Sequence, residues 1–281
     1  MNRSQVVGGL CAFLVLAPLS AGPGSEPTLV AGPIVADSGP HHRTIQQVWQ
    51  FVDIQGQPAV STNSHIELAT GLNYLDTTTG QWIPAKAEFE LTRSGYVIAR
   101  HTQHQVILSP DPREEPTVDF MTPDGLRLHS RILGLAVADP KTGTSALLAE
   151  LKEARPDWIA PGEVIYRDAF DTVAADLHYS IGLDRFEQDV IFRQQIPPEL
   201  VADVGIDPRS ARVLLMTEFF DPPLPEKTVR SLSLADQTVL TDEELAFGLM
   251  RIGLGSVFRT DESGPGLKVP VGKSWEQLEG R

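Results

Sequence analysis

One cysteine occurs in 281 residues, Cys11, and it lies inside an apolar run near the start of the chain. If that run is removed as a signal, the mature chain has no thiol, which excludes a disulfide framework, thiolate metal sites and a cysteine nucleophile together. Cations are also scarce: 23 Lys and Arg face 37 Asp and Glu, a net charge of −14. Such a surface repels phosphate backbones and anionic lipid, so no nucleic-acid partner is expected. Long apolar runs are missing as well. The longest, residues 6–16, falls short of the roughly 20 residues that cross a bilayer, and no membrane span is expected once it is cleaved. Catalytic signatures are equally thin, with no His-Glu-x-x-His, Gly-x-Ser-x-Gly or Ser-x-x-Lys. No catalytic residue, cofactor or metal site is therefore assigned.

The first segment has Arg3, the apolar run, Pro18 and then Ser20-Ala21-Gly22, the layout of a secretory signal peptide with cleavage near Ala21. Leu10 before Cys11 is not the small residue that a lipoprotein signal requires. Residues 1–21 are thus read as signal peptide and the protein as exported, to periplasm, cell surface or medium. Residues 22–44 are read as a flexible leader, because proline and glycine recur too often there for a regular element. Residues 45–281 are read as one β-rich domain, with a candidate internal boundary at 154–162.

The texture after Ile45 is short apolar runs separated by turn residues, with 23 Gly and 22 Pro in the chain, the mark of an all-β fold. The expected architecture is an antiparallel β-sandwich, with one extended or two fused layers. Hairpins are expected around 77–80, 93–95, 123–125 and 139–143, where Gly, Pro and Asp chemistry presets the turn. Residues 145–152 carry good helix formers, yet their neighbours read as strands and so do they. The clearest period-2 pattern joins residues 172–180 to 186–193: Ala175, Leu177 and Tyr179 alternate with Asp176, His178 and Ser180. One face of that pair is expected to be buried and one wet. Strands are also expected at 212–220 and, against a capping-box signal at Thr241, at 245–252. One helical turn is expected at 199–204.

Several side chains are weighed as sites. Gly266 to Ser274 imitates a phosphate loop, but its glycines are one residue too far apart and Pro270 removes a donor, so a strand at 267–271 is preferred. His101 and His104, three apart on a strand, face opposite sides and do not chelate together; His41 and His42 follow the leader. Glu187 and Asp189 share a strand face at roughly 6.5 Å, within the range of paired glycosidase carboxylates, although solvated acids alternate in the same way. Asp111, Glu114, Glu115 and Asp119 are oxygen ligands without the glycine-punctuated loop of a calcium site. Of Trp49, Trp82, Trp158 and Trp275, Trp158 is the candidate glycan contact, on a loop read at 155–161.

Leu72-Asn-Tyr-Leu-Asp76 with Gly80-Gln-Trp82, Phe186-Glu-Gln-Asp189, Thr217-Glu-Phe-Phe220 and Val269-Pro-Val-Gly-Lys-Ser-Trp275 resemble the uncharacterised N-terminal region of large exported bacterial proteins, some of which carry RHS or YD repeats. The resemblance covers residues 72–281 and implies a secreted β-rich module, with no catalytic residues to carry over; this chain has no repeats. The favoured expectation is an exported, non-enzymatic β-sandwich module for surface display, adhesion or assembly. Its expected partner is a downstream segment of a larger chain or another envelope protein. The alternative is a carbohydrate-binding or carbohydrate-processing protein, with a glycan as partner.

Overall fold

The computed structural model describes residues 26–233, 239–261, 264–265 and 268–277; the expected signal peptide lies outside them. The fold is all-β and antiparallel, as the turn spacing predicts, with several sheets and no closed barrel. The chain divides into two compact units. One runs to Lys86 and takes in His101–Gln103; the other comprises Ala87–Arg100 and the chain from His104 onward. Residues 154–162, the candidate boundary, lie within the second unit.

In the first unit β1 (Thr28–Gly39), β2 (His42–Val52) and β3 (Pro58–Leu68) form one sheet in that order, and β4 (Asn73–Asp76) and β5 (Gln81–Pro84) form a hairpin. The leader expected over 22–44 is corrected here, since strand begins at Thr28. Proline does not stop β1 because Gly32 and Pro33 fall between the paired residues Ala31 and Ile34, where the register shifts and no ladder donor is needed. Asp53 organises the turn from β2 to β3, its Oδ1 accepting the backbone N–H of Gln55 and of Gln57, both at 2.8 Å. Buried Asn73 ties the hairpin down by donating its Nδ2 to the carbonyls of Gly39 (2.7 Å) and His42 (2.9 Å).

In the second unit β6 (Glu90–Leu91), β7 (Val97–Ala99), β8 (Gln105–Leu108) and β9 (Val118–Met121) form a meander that continues into β10 (Arg127–Asp139) and β11 (Thr144–Glu150). Next come β12 (Pro156–Ala160), β13 (Glu163–Tyr166), β14 (Ala175–Ile181) and β15 (Phe186–Phe192), a four-stranded sheet. A single turn of helix, α1 (Pro198–Asp203), leads to β16 (Arg212–Phe220), which joins the first sheet beside β10. The remainder is β17 (Glu226–Ser233), β18 (Val239–Phe247), β19 (Met250–Ile252), β20 (Gly255–Val257), β21 (Thr260–Asp261), β22 (Gly264–Pro265) and β23 (Val269–Val271). The strand expected over 245–252 is corrected to a hairpin. Its turn falls at Gly248 and Leu249, so that Phe247 pairs with Met250.

The two larger sheets of this unit face each other as a sandwich. Val97, Val106, Leu108, Val118 and Val137 come from one, and Val164, Tyr166, Leu177 and Tyr179 from the other, all nearly inaccessible. Burial of this apolar area is what holds a fold without cross-links. The period-2 expectation at β14 holds for Ala175, Leu177, Tyr179 and Ile181, which face the core, and for His178 and Ser180, which face out; Asp176, expected on the wet face, is instead 5% exposed and accepts the Asp168 N–H.

Two tyrosines at the centre of that core differ in one respect. Tyr166 Oη donates to the carbonyl of Ser109 at 2.5 Å, bridging the sheets, whereas Tyr179 Oη has no hydrogen-bond partner among the described residues. The rings meet edge to face at 5.9 Å, and Tyr179 stacks on Phe186 at 5.7 Å. Tyr166→Phe is therefore expected to destabilise by about 1–2 kcal/mol, because it orphans a buried acceptor. Tyr179→Phe should be neutral or stabilising by about 1 kcal/mol, since it removes a desolvated hydroxyl that bonds nothing. Urea unfolding of the two variants against the parent protein checks the opposite signs.

Candidate functional site

The outward face of the β12–β15 sheet concentrates the polar chemistry of the second unit. Register puts Asp157 opposite Ile165, Ile165 opposite His178, and His178 opposite Asp189; in the next row Glu163 faces Ser180 and Ser180 faces Glu187. Ala87, Gly162 and Arg185 complete a cleft of about 400 Å³ above these rows. A Cβ on Gly162 would come within 2.8 Å of the Ala87 carbonyl oxygen, so the close approach of these backbones needs glycine.

His178 sits between two carboxylates, with Nδ1 3.3 Å from Asp189 Oδ2 and Nε2 3.5 Å from Glu163 Oε2. The hydrogen bond to Asp189 raises its pKa above the ordinary histidine value, with the charge of Glu163 adding to the effect against the opposing cost of burial. Ser180 Oγ donates to Glu187 Oε2 at 3.3 Å, and Arg185 Nε lies 3.3 Å from Glu187 Oε1. Both ring nitrogens of His178 lie against carboxylates, and neither is bonded to Ser180. The serine bonds a carboxylate and not the imidazole, so the relay of an acyl-transfer triad is not assembled. Glu187 and Asp189 do share one face, as the spacing predicts, but each is held by its own donors. The arrangement is a charge clasp across three strands.

The clasp carries a pH signature. A histidine whose pKa is raised on folding contributes stability that is fully present below its unfolded value near 6.5 and is lost as pH rises through the folded value. Measured against His178→Gln, the urea midpoint of the parent protein is expected to lose its advantage as pH climbs from 6.5; the lowered pKa of His104 acts with the opposite sign but equally in both proteins. An identical pH profile in the variant would show that the clasp contributes nothing.

A second charged knot joins the connections around that sheet to Asp176 of β14. Asp168 accepts from Lys152 Nζ at 2.6 Å and from Arg193, which also lies 3.3 Å from buried Asp176. Lys152 is the main cause that holds the Asp168 carboxyl below its usual range.

Trp158 is not on a loop: it lies in β12, an edge strand, and is 44% exposed. Because it pairs with Val164, which pairs with Tyr179, it is on the opposite face of the sheet from Glu163, Glu187 and Asp189. Trp275 packs against Phe219 at 5.1 Å, and the carbonyl of Trp82 accepts from Ser38 Oγ.

His104 is buried with Nε2 3.1 Å from the carbonyl of Arg185 and stacks on Phe120, while His101 packs on Tyr74. Desolvation lowers the pKa of His104. His41 Nδ1 accepts the N–H of Gly71, and His42 pairs with Asp37. The four acids weighed for calcium are dispersed among cations and a hydroxyl: Asp111 binds Arg113, Glu115 binds Arg131, Asp119 binds Arg127, and Glu114 meets Tyr96 Oη. Among the described residues no group of three His, Asp or Glu side chains is placed to hold a metal ion, and no helix is long and apolar enough to cross a membrane.

The phosphate-loop mimic is also accounted for. A strand is found at Val269–Val271 within the expected 267–271, of which residue 267 lies outside the described residues; it pairs with β20, and Lys273 turns inward, its Nζ 2.9 Å from Asp242 Oδ1, in a carboxylate that is 1% exposed.

A strand that the sequence pattern does not reveal, and that bears on function, is β3. Its centre reads Ser61-Thr-Asn-Ser64, too polar to signal a strand, and only the flanking Val60 and Ile66 hint at one. No family model, curated protein or solved structure matches the chain.

Proposed function

We propose that this chain is an exported, non-enzymatic β-module that serves surface display, adhesion or assembly, as the N-terminal part of a larger protein in the manner of the exported bacterial proteins it resembles. The observation that carries the reading is the β1–β3 sheet, on which Leu29, Val30, Ile34, Val35, Val60 and Ile66 are 42–66% exposed. Register sets Ile34, Val60 and Ile66 on one face and Leu29 and Val35 on the other, and apolar side chains left in the open on a sheet favour association with another protein surface. A net charge of −14 turns that association away from nucleic acid and anionic lipid. A glycan-processing site, by contrast, asks for Trp158 beside paired carboxylates, and the register puts them on opposite faces of the sheet.

Fractionating the native cells tests the reading. The protein is expected in envelope or medium, with its N-terminus near residue 22 by mass spectrometry. Recovery from the cytoplasm with Met1 intact would overturn it.

A further inference from the structure

β1 and β3 are the two edges of the first unit's sheet, and they differ in kind. β1 is interrupted by three register shifts and holds Pro33 at its middle, both of which blunt an edge against further pairing. β3 pairs with β2 over eleven consecutive residues without a shift, and among the described residues no strand pairs with its other side. Its one proline, Pro58, is at its first position, and it has no lysine or arginine. Along this regular backbone every second residue therefore offers its donor and acceptor outward, beside Val60, Ile66 and Leu68 at 66%, 64% and 75% exposure.

The order of side chains along β3 is self-complementary. In antiparallel pairing about Asn63, Pro58 meets Leu68 of the other strand, Val60 meets Ile66, Ser61 meets His65, Thr62 meets Ser64, and Asn63 meets its own copy. Apolar meets apolar on one face, and polar meets polar at the centre. The only ionisable side chains, His65 and Glu67, face Ser61 and Ala59, so no like charges meet. A slip of two residues either way leaves one apolar pair per half where the centred register has two. A two-fold interface requires that one patch complement itself, and this strand does.

Resting on the reading of the chain as an assembly module, we infer that its partner is a second copy of itself, joined edge to edge through β3 into a continuous six-stranded sheet.

Sedimentation velocity on the exported, processed protein is expected to show a dimer. Val60→Lys with Ile66→Lys puts like charges opposite each other at both symmetric contacts and should weaken the dimer by about tenfold or more. Val60→Lys with Ile66→Glu puts Lys opposite Glu at the same contacts and should restore it, which separates loss of pairing from loss of folding. Asn63→Cys should give a disulfide-linked dimer on mild oxidation, because directly opposite residues lie within disulfide reach.

A monomeric parent protein would overturn the inference, whether or not the β3 amides are protected by another segment of the same chain. So would a dimer indifferent to the Lys pair, or one that the Lys–Glu variant fails to restore. An exported monomer refutes the self-pairing alone, whereas a cytoplasmic dimer refutes the functional reading alone.

Discussion

Lys273→Met is expected to destabilise the folded chain by about 3–5 kcal/mol, because it leaves a buried carboxylate without its counter-charge. Asp242 is 1% exposed, and its Oδ1 accepts from Lys273 Nζ at 2.9 Å and from the Lys273 backbone N–H at 3.2 Å. The surrounding bonds tie the segment after β23 to β18: the Glu243 N–H donates to the Lys273 carbonyl, and the Trp275 N–H donates to Glu243 Oε2. Loss of the ammonium should thus loosen residues 272–275 along with Trp275, which packs on Phe219 and Phe247. Adding Asp242→Asn to Lys273→Met should recover part of the loss, since a neutral amide costs less to bury than an unpaired charge. Denaturant unfolding of the single and double variants gives the coupling. A single-variant cost under about 1 kcal/mol would mean that the charge finds water despite its burial.

The second large effect is expected at Gly134, where alanine should cost about 3 kcal/mol or more. Gly134 lies at φ +154, in a region that side-chain-bearing residues rarely adopt, and a Cβ there would meet the Ala149 carbonyl oxygen at 2.4 Å. Its place in the sheet explains the crowding. Along one side of β10 the pairing with β9 ends at Ser130 and that with β11 begins at Gly134, while β16 runs along the other side with its own shift between Ile132 and Gly134. Neither neighbour can retreat without breaking ladder bonds. Gly143→Ala is the control: its φ of +72 imposes the same kind of backbone cost, but no atom lies within 4 Å of the added Cβ. It should lose only about 1 kcal/mol. Thermal or urea unfolding of the pair separates steric from conformational cost.

The sequence is most legible where hydrophobic period and turn chemistry agree. β14 and β15 alternate except at buried Asp176 and exposed Phe192, β16 spans Arg212–Phe220 as its pattern predicts, and β11 is a strand despite its helix-forming residues because pairing with β10 decides it. The misses have separate physical causes. β1 was hidden by prolines that a bulge accommodates. β3 and β17 were hidden by polar residues on strands exposed on both faces, which leave no apolar period to read. Prolines that bracket β12 make it read as a loop, and the short turn signal of Gly248 and Leu249 makes β18–β19 read as one strand. Alternation alone places His178, Glu187 and Asp189 on one wet face. Which carboxylates clasp the histidine depends on register with β13, which no local pattern specifies.

Photo-crosslinking in intact cells, from a light-activated residue placed in turn at Ile66, Trp158 and Asp189, tests most directly whether this protein works by association through the β1–β3 sheet. Protein adducts are expected from Ile66, and few from the other two positions. A silent Ile66 with carbohydrate adducts at Trp158 or Asp189 would contradict it.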